Sequence, residues 1–347
     1  MLYPLFGLKL SGTGDHCLPE SFKPNRGYSM AELPSITSPT RDAIFAAYEA
    51  DAGDGFRAHL GASLIGKDCE RALWFDFRWV TRAQHSGRLL RLFETGQLEE
   101  ARLVQNLRRT GATVLEVDPD TGRQFRVQAH GGHFGGSLDG VAINLLEAPK
   151  TWHVLEFKTH SVKSFNDLMV RKVRESKPLH FAQMQTYMHL MGLTRAMYLA
   201  VCKDTDDVYV ERVEADPAFA MGLMTKAERV IFAATPPPRI SPDPSWYQCR
   251  MCDHAPVCHA NASDAAAPEV NCRTCLHATP VDGGWHCARH DRRLTEADQR
   301  AACAIHLFIP SLVPGQQVDA GEDWVEYEFA SGNRWRDTGM NKYANTF

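Results

Sequence analysis

The sequence predicts an α/β (α+β) fold in which a mixed β-sheet is flanked by helices. Apolar residues recur at helical spacing in the first hundred residues, and between residues 112 and 159 they alternate with a period of two. Helical spacing then returns around residues 180–192, and a further strand pair follows it. Helices, several strands, a helix and more strands in this order are typical of a sheet covered by helices.

The helices and strands are predicted from these periodicities and from turn residues between them. Leu103, Val104 and Leu107 fall on one helical face, and Gly111 follows as a stop signal. The predicted helices cover residues 41–53, 64–80, 92–109, 180–192 and 217–234. The predicted strands cover residues 112–117, 124–129, 137–143, 152–159, 196–202 and 208–213.

Composition divides the chain into four segments. Residues 1–40 contain Pro, Ser, Thr and Gly without periodicity and are predicted to form a loose extension. Residues 41–260 carry the periodic pattern and are predicted to form the main domain. An Ala-rich linker leads to residues 268–310, which hold a Cys/His cluster and are predicted to form a separate module. Residues 311–347 are predicted to be a C-terminal tail.

The bulk composition is that of a water-soluble globular protein. The 347 residues are 44% hydrophobic and 23% charged. No apolar run reaches the roughly 18 residues that a membrane span needs. Residues 1–10 lack a cleavage site, so we expect no signal peptide and a cytoplasmic location. The net charge of −4 counts only weakly against nucleic-acid binding, because a local basic groove decides that property.

Two carboxylates and a lysine form the strongest chemical signal. Asp139 lies in a Gly-Ser-Leu-Asp-Gly segment, and Glu156 and Lys158 alternate on the next strand, so they share one face. Oxygen ligands of this kind suit Mg²⁺ or Mn²⁺, which lowers the pKa of bound water and polarises a phosphate. Lys158 would hold the attacking water. The alternative is an incidental Glu/Lys pair, but the surrounding Val-Leu-Glu-Phe-Lys-Thr strand is too apolar for a surface strand.

Two helices extend this group of residues. Gln183 and Tyr187 are four residues apart on one helical face, where they could contact a DNA phosphate, a water or a base. Glu100 on an earlier helix is a candidate for a further metal ligand. The alternatives are a polar helix face with a half-buried tyrosine, and a solvated acidic helix face.

Residues 96–187 resemble the RecB-like branch of the PD-(D/E)XK nucleases. That branch carries a His or Glu on an early helix, a Gly-x-x-Asp strand, a Glu-x-Lys strand and a Gln-x-x-x-Tyr helix, all in this order. The resemblance implies a restriction-endonuclease-like sheet, with a divalent ion held by Asp139, Glu156 and Glu100. Cellular members usually have His where this chain has Glu100, whereas phage exonucleases accept Glu. This departure bears on the metal ligands more than on the activity.

Ten cysteines without an export signal argue against disulfides, because thiols in the cytosol are kept reduced. Eight of them fall into two patterned sets, which indicates metal binding. The other two, Cys17 and Cys202, are predicted to be free thiols.

The first set is a compact triplet of Cys249, Cys252 and Cys258, for which Cys69 is the upstream candidate for a fourth ligand. The arrangement resembles the iron–sulfur clasp of AddB-type helicase-nucleases and CRISPR-adaptation exonucleases. The resemblance implies a structural [4Fe–4S] cluster that joins the two ends of the nuclease domain. Zinc is the alternative for any four-cysteine site.

The second set comprises Cys272, Cys275, Cys287 and Cys303, which we interpret as a small zinc-ribbon-like module. Such a module has too small a core to fold alone, so metal binding would supply most of its folding free energy. Its role would be DNA contact or partner docking, and the alternative is a purely structural zinc site.

A basic run between the Glu-x-Lys strand and the Gln/Tyr helix contains Arg171, Lys172, Arg174 and Lys177. Its position favours a loop that tracks DNA phosphates. The alternative is a solvated charged face.

These features together predict a Mg²⁺- or Mn²⁺-dependent DNA exonuclease of phage or bacterial recombination, repair or replication. Its partners would be DNA and a single-strand annealing or other recombination protein, with no membrane. One alternative is a DNA-binding accessory protein without catalytic activity. Another is a zinc-bearing structural or transcription-related protein in which the nuclease motifs are accidental.

Overall fold

The secondary structure follows the predicted order closely up to residue 260. The computed structural model describes residues 38–260 and 267–339. Its first elements are α1 (Pro39–Asp51), β1 (Leu60–Gly61), α2 (Glu70–Arg78), α3 (Gly87–Arg109), β2 (Thr113–Leu115), β3 (Arg126–Ala129), β4 (Phe134–Ser137), β5 (Gly140–Ile143) and β6 (His153–His160). They are followed by α4 (Val162–Ser176), α5 (Pro178–Met191), β7 (Arg195–Cys202), β8 (Val208–Glu214), α6 (Pro217–Phe232), α7 (Tyr247–Arg250) and α8 (Ala255–Cys258).

The central sheet has five strands in the order β2-β5-β6-β7-β8. The pair β6–β7 is parallel and the other pairs are antiparallel. Leu155 and Phe157 of β6 pack with Leu103 of α3 on one face, whereas Val154 packs with Met184 of α5 on the other. The predicted mixed sheet flanked by helices is therefore confirmed.

Three predicted elements differ in the structure. Residues 137–143 were predicted to be one strand, but the chain leaves β4 at Ser137 and enters β5 at Gly140, because β4 pairs with β1 and β3 in a separate sheet. Residues 64–80 begin with turns and become helical only at Glu70. The basic run was predicted to be a loop and is mostly helix α4, which buries Phe165, Leu168 and Val173 and is kinked at Lys172 (φ 65°).

The C-terminal third adds two small antiparallel sheets. The first comprises β9 (Ala278–Val281), β10 (Gly284–Cys287) and β11 (Arg292–Leu294), and α9 (Glu296–Ala301) follows it. The second comprises β12 (Gln316–Gly321), β13 (Trp324–Glu328) and β14 (Arg334–Asp337). It lies in the segment predicted to be a tail, and its core includes Phe308, Val325 and Tyr327. The predicted N-terminal extension lies outside the described residues up to residue 37.

Residues 268–310 pack directly against α2. Glu269 N donates to Val80 O at 2.9 Å, and the Arg273 guanidinium donates to Phe77 O and Ala58 O, both at 2.9 Å. Trp285 shares a hydrophobic core with residues of α2, and residues from Ala43 onward form one compact unit. That residues 268–310 form a separate module stays a prediction. Of the helices in the described ranges, none is long and apolar enough to cross a membrane.

Candidate active site

The link between β4 and β5 places Asp139 against the middle of β6. Asp139 Oδ2 accepts a hydrogen bond from Phe157 N at 2.7 Å. The next residue, Gly140, has φ +153°, and a Cβ there would lie 2.8 Å from Leu115 O. Only glycine fits this position without strain. The turn thus brings the Asp139 carboxylate to the strand that carries Glu156 and Lys158.

Glu156 is fully buried at the centre of the sheet. Oε1 of its carboxylate makes an ion pair with Lys158 Nζ, and neither oxygen has a further hydrogen-bond partner among the described residues. Lys158 Nζ also donates to Phe157 O at 3.0 Å. A buried carboxylate with so few partners is costly unless a cation balances it.

The carboxyl groups of this site lie close enough to affect one another. Burial raises the pKa of Glu156 to about 8, with Asp139 and Glu100 adding to the shift and Lys158 opposing it. Burial, followed by the charge of Asp139, raises the pKa of Glu100 to about 7. Burial also raises the pKa of Asp139. Burial lowers the pKa of Lys158, but the three carboxylates outweigh it and the net shift is upward.

Three carboxyl groups and one ammonium group therefore lie within electrostatic reach of one another, with Glu156 buried and the other three partly exposed. The oxygen ligands of this set fit a hard divalent cation such as Mg²⁺ or Mn²⁺. In residues 38–260 and 267–339, however, no three His, Cys, Asp or Glu side chains already stand in a metal-binding geometry.

Gln183 and Tyr187 lie beside the loop that carries Asp139. Gln183 Nε2 donates to Tyr187 Oη at 3.3 Å, and Tyr187 Oη donates to Ser137 O at 2.9 Å. A Cβ at Gly136 would lie 2.6 Å from Tyr187 Oη, so the bare backbone of Gly136 makes room for the phenol. The structure thus brings both side chains next to the carboxylates.

A groove of about 500 Å³ opens beside Gln183 and Tyr187. Arg57, His59 and Arg126 line it, and none of its described lining residues carries a carboxylate. Burial lowers the pKa of His59, and Arg126 and Arg57 lower it further. Sequence reasoning missed these three residues, because Arg57 and His59 precede β1 whereas Arg126 lies on β3, and they meet only when β4 pairs with both strands.

The basic run on α4 is largely engaged in contacts with its own neighbours. Arg171 and Lys177 form ion pairs with Asp167, and Arg174 forms one with Asp216 at 3.2 Å. Lys172 lies over the Tyr209 ring, 5.6 Å from its centroid. The described lining of the Tyr187 groove includes none of these four residues.

The first cysteine set lines one cavity between α2 and the segment containing α7 and α8. Its wall contains all four predicted ligands, Cys69, Cys249, Cys252 and Cys258. Arg71 and Arg239 lie in the same wall. Burial raises the pKa of Cys249, and the charges of Cys258 and Cys69 raise it further, so the thiols are close to one another. Arg239 Nε donates to Cys258 O at 2.7 Å. Four thiols in one wall with nearby cations have the chemistry of ligands for an anionic cluster or a zinc ion, although they do not stand in a metal-binding geometry among the described residues.

The second cysteine set lines another cavity. Cys272, Cys275, Cys287 and Cys303 are all in its wall. Burial raises the pKa of Cys272 to about 12, and the charges of the other three thiols add to the effect. Cys272 Sγ donates to Asp298 O at 3.3 Å. Three histidines that lie close to this set in the sequence, His277, His290 and His306, are in the same wall.

Comparisons with known proteins give one family match and several structural similarities. The profile of a family described as the PD-(D/E)XK nuclease superfamily matches residues 49–259, more than half of the chain. The alkaline exonuclease LHK-Exo from Laribacter hongkongensis is 18% identical, and the alignment covers 54% of this chain and 89% of LHK-Exo with a TM-score of 0.36. Its complex with dAMP gives 19% identity over the same coverage and the same TM-score. The sequence of SSO0001, another solved structure, is 11% identical to this chain. The alignment covers 66% of this chain and 99% of SSO0001, with a TM-score of 0.39. No curated protein matches the chain.

Proposed function

Because this chain belongs to the PD-(D/E)XK nuclease superfamily, we propose that it is a DNA exonuclease that hydrolyses phosphodiester bonds in recombination, repair or phage replication. The observation that carries the proposal is the meeting of Asp139, Glu156 and Lys158 at the middle of β6, beside a basic groove. A cytoplasmic location and a single-strand annealing partner remain predictions from the sequence.

Asp139, Glu156 and Glu100 would hold one or two Mg²⁺ or Mn²⁺ ions in this site. Such an ion supplies an acidified water and neutralises charge on the phosphate. Lys158 Nζ, anchored by Glu156 and by Phe157 O, donates hydrogen bonds to the attacking water or to a phosphate oxygen. Tyr187 and Gln183 support the Asp139 loop through Ser137 O and line the groove by which the substrate enters.

The groove beside Tyr187 would hold the DNA backbone. Arg57 and Arg126 supply positive charge and have no carboxylate partner among the described residues, whereas Arg171 and Arg174 have one each. An arginine without a carboxylate partner can neutralise a DNA phosphate and release the counterion bound there. It therefore contributes more to DNA binding than an arginine that is already paired. This favours the groove over the predicted α4 run as the main DNA contact.

The first cysteine set would hold a [4Fe–4S] cluster, and the second set a zinc ion. Cys69 immediately precedes α2, whereas its three partners lie in and around α7 and α8, so the cluster would join two distant parts of the nuclease domain. Iron, sulfide and zinc measured in anaerobically purified protein test both assignments. Zinc alone at both sets would contradict the cluster.

Digestion of end-labelled linear DNA and of circular DNA, with Mg²⁺ or Mn²⁺, tests the activity. We expect linear DNA to be degraded from its ends and circular DNA to persist, and Lys158→Ala to abolish digestion. Arg57→Ala with Arg126→Ala should weaken DNA binding more than the matched pair Arg171→Ala with Arg174→Ala. If the wild-type protein digests neither DNA, the proposed nuclease activity is wrong, and a non-catalytic DNA-binding protein is favoured.

A further inference from the structure

A row of four polar side chains runs through the core next to the catalytic face. Ser164 Oγ lies 3.3 Å from His160 Nδ1, and His160 Nε2 lies 2.9 Å from Tyr198 Oη. Tyr198 Oη lies 2.9 Å from His180 Nδ1 as well. Tyr198 is fully buried and His160 is 8% exposed, whereas Ser164 and His180 at the two ends are partly exposed.

The row ends beside the residues that carry the proposed chemistry. Tyr198 pairs with Glu156 in the parallel β6–β7 register, and His160 follows Lys158 on the same face of β6. His180 precedes Gln183 by one helical turn on α5. Burial, followed by the charge of Lys158, lowers the pKa of His180 to about 2. Burial with Lys177 and Lys158 lowers the pKa of His160 to about 4. Both imidazoles are therefore neutral at physiological pH.

A neutral imidazole donates from one nitrogen and accepts at the other, and a phenol has one proton. Only two arrangements of the protons satisfy the whole row. In one, Ser164, His160 and Tyr198 each donate towards His180, and His180 Nε2 carries a proton. In the other, every hydrogen bond is reversed and His180 Nε2 is an acceptor. Nε2 forms no hydrogen bond with any described residue and is not a buried atom, so it is free to meet a substrate or water.

We propose that the row Ser164–His160–Tyr198–His180 is a proton relay that ends at His180 Nε2 in the catalytic site. The inference rests on the proposed nuclease function. Hydrolysis removes a proton from the attacking water and adds one to the leaving oxygen. The relay exchanges these protons with solvent without charging any of its members.

In the forward step, the O–H bond of water breaks and an N–H bond forms at His180 Nε2. The Nδ1 proton of His180 passes to Tyr198, the phenol proton passes to His160 Nε2, and the Nδ1 proton of His160 passes to Ser164. Ser164 then releases its own proton to solvent. One proton enters and one leaves, and the row finishes in the other of its two arrangements. The reverse step delivers a proton to the leaving oxygen.

The test is single-turnover cleavage of an end-labelled oligonucleotide, started with Mg²⁺ at excess protein. We expect Tyr198→Phe and His180→Ala to slow cleavage by about tenfold to hundredfold, at the lower end of general acid–base effects. Affinity for the same oligonucleotide in Ca²⁺ should be unchanged. Added imidazole should restore the cleavage rate of His180→Ala but not that of Tyr198→Phe. The curved dependence of the wild-type rate on the D₂O fraction should become linear in Tyr198→Phe.

Tyr209→Phe is the matched control. It removes a hydroxyl from a buried tyrosine on the adjacent strand β8, where the phenol donates to Glu211 at 2.5 Å. It should leave the cleavage rate unchanged.

If Tyr198→Phe cleaves at the wild-type rate, or if imidazole does not rescue His180→Ala, the relay is wrong while the nuclease function stands. If Tyr198→Phe does not fold, His180→Ala and its rescue decide the question, because His180 is partly exposed. A wild-type protein that cleaves no DNA would instead refute the proposed function.

Discussion

Replacement of Arg273 by alanine tests how firmly residues 268–310 belong to the nuclease core. The guanidinium is 1% exposed and donates to Phe77 O, Ala58 O and Gln299 Oε1, each at 2.9 Å. It also stacks on Trp79, 3.6 Å from the ring centroid. Because two of these acceptors lie in or before α2, the side chain joins the C-terminal third to the first half of the chain.

The expected loss of stability is large. Arg273→Ala leaves two buried acceptors without a donor, at about 1 kcal/mol or more each, and a third that is only partly buried. It also removes a desolvated cation–π contact of about 2 kcal/mol. We therefore expect the free energy of unfolding to fall by about 4–5 kcal/mol, which is a large fraction of the stability of a typical domain. The whole described core should lose this stability together, because Phe77 and Trp79 belong to or adjoin α2.

The assay is urea denaturation followed by both tryptophan fluorescence and circular dichroism. Arg336→Ala is the matched control, because Arg336 also stacks on a tryptophan, at 4.0 Å from Trp324, but is 49% exposed. We expect that control to lose no more than about 1 kcal/mol. A loss below about 1 kcal/mol in Arg273→Ala would refute the reasoning. The reasoning would also be refuted if the C-terminal third alone unfolded at lower urea while the rest of the protein kept the wild-type midpoint.

Three further predictions concern the site and the first cysteine set. Lys158→Ala should still fold and should lower DNA digestion by about two orders of magnitude or more, because it removes a main electrostatic contributor; near wild-type digestion would contradict its role. Cys69→Ala should lose the iron measured after anaerobic purification, whereas Cys202→Ala should keep it, and unchanged iron in the first variant would place the fourth ligand elsewhere. Gly136→Ala should lower the free energy of unfolding by about 1–3 kcal/mol and slow digestion, because its Cβ would lie 2.6 Å from Tyr187 Oη; normal stability and activity would show that the phenol can move without consequence.

Several features follow from short-range patterns and could be predicted. The period of two placed Glu156 and Lys158 on the face of β6 opposite Phe157, because alternation is a direct consequence of strand geometry. Helix α5 was predicted within two residues of its observed bounds, from the return of helical spacing around residues 180–192. Cysteine spacing likewise marked the residues that line the two thiol cavities.

Helix α4 shows where local patterns mislead. Its charged residues suggested a loop, but their ion pairs with Asp167 and Asp216 are formed on a helix that buries Phe165 and Leu168 against the sheet. Tertiary packing of an apolar face decides such a segment more than its charge does.

Local patterns along the chain are enough to predict the mixed sheet flanked by helices and the family motifs, because each of them depends on residues within about one turn or one strand of each other. The basic groove of Arg57 and Arg126, the burial of Arg273 and the His160–Tyr198–His180 row depend on tertiary contacts instead. Their members are far apart in sequence and meet only because β1 pairs with β4, residues 268–310 pack on α2, and α5 lies across β6 and β7. No periodicity in the chain encodes those contacts, because they depend on which faces of separate elements bury one another.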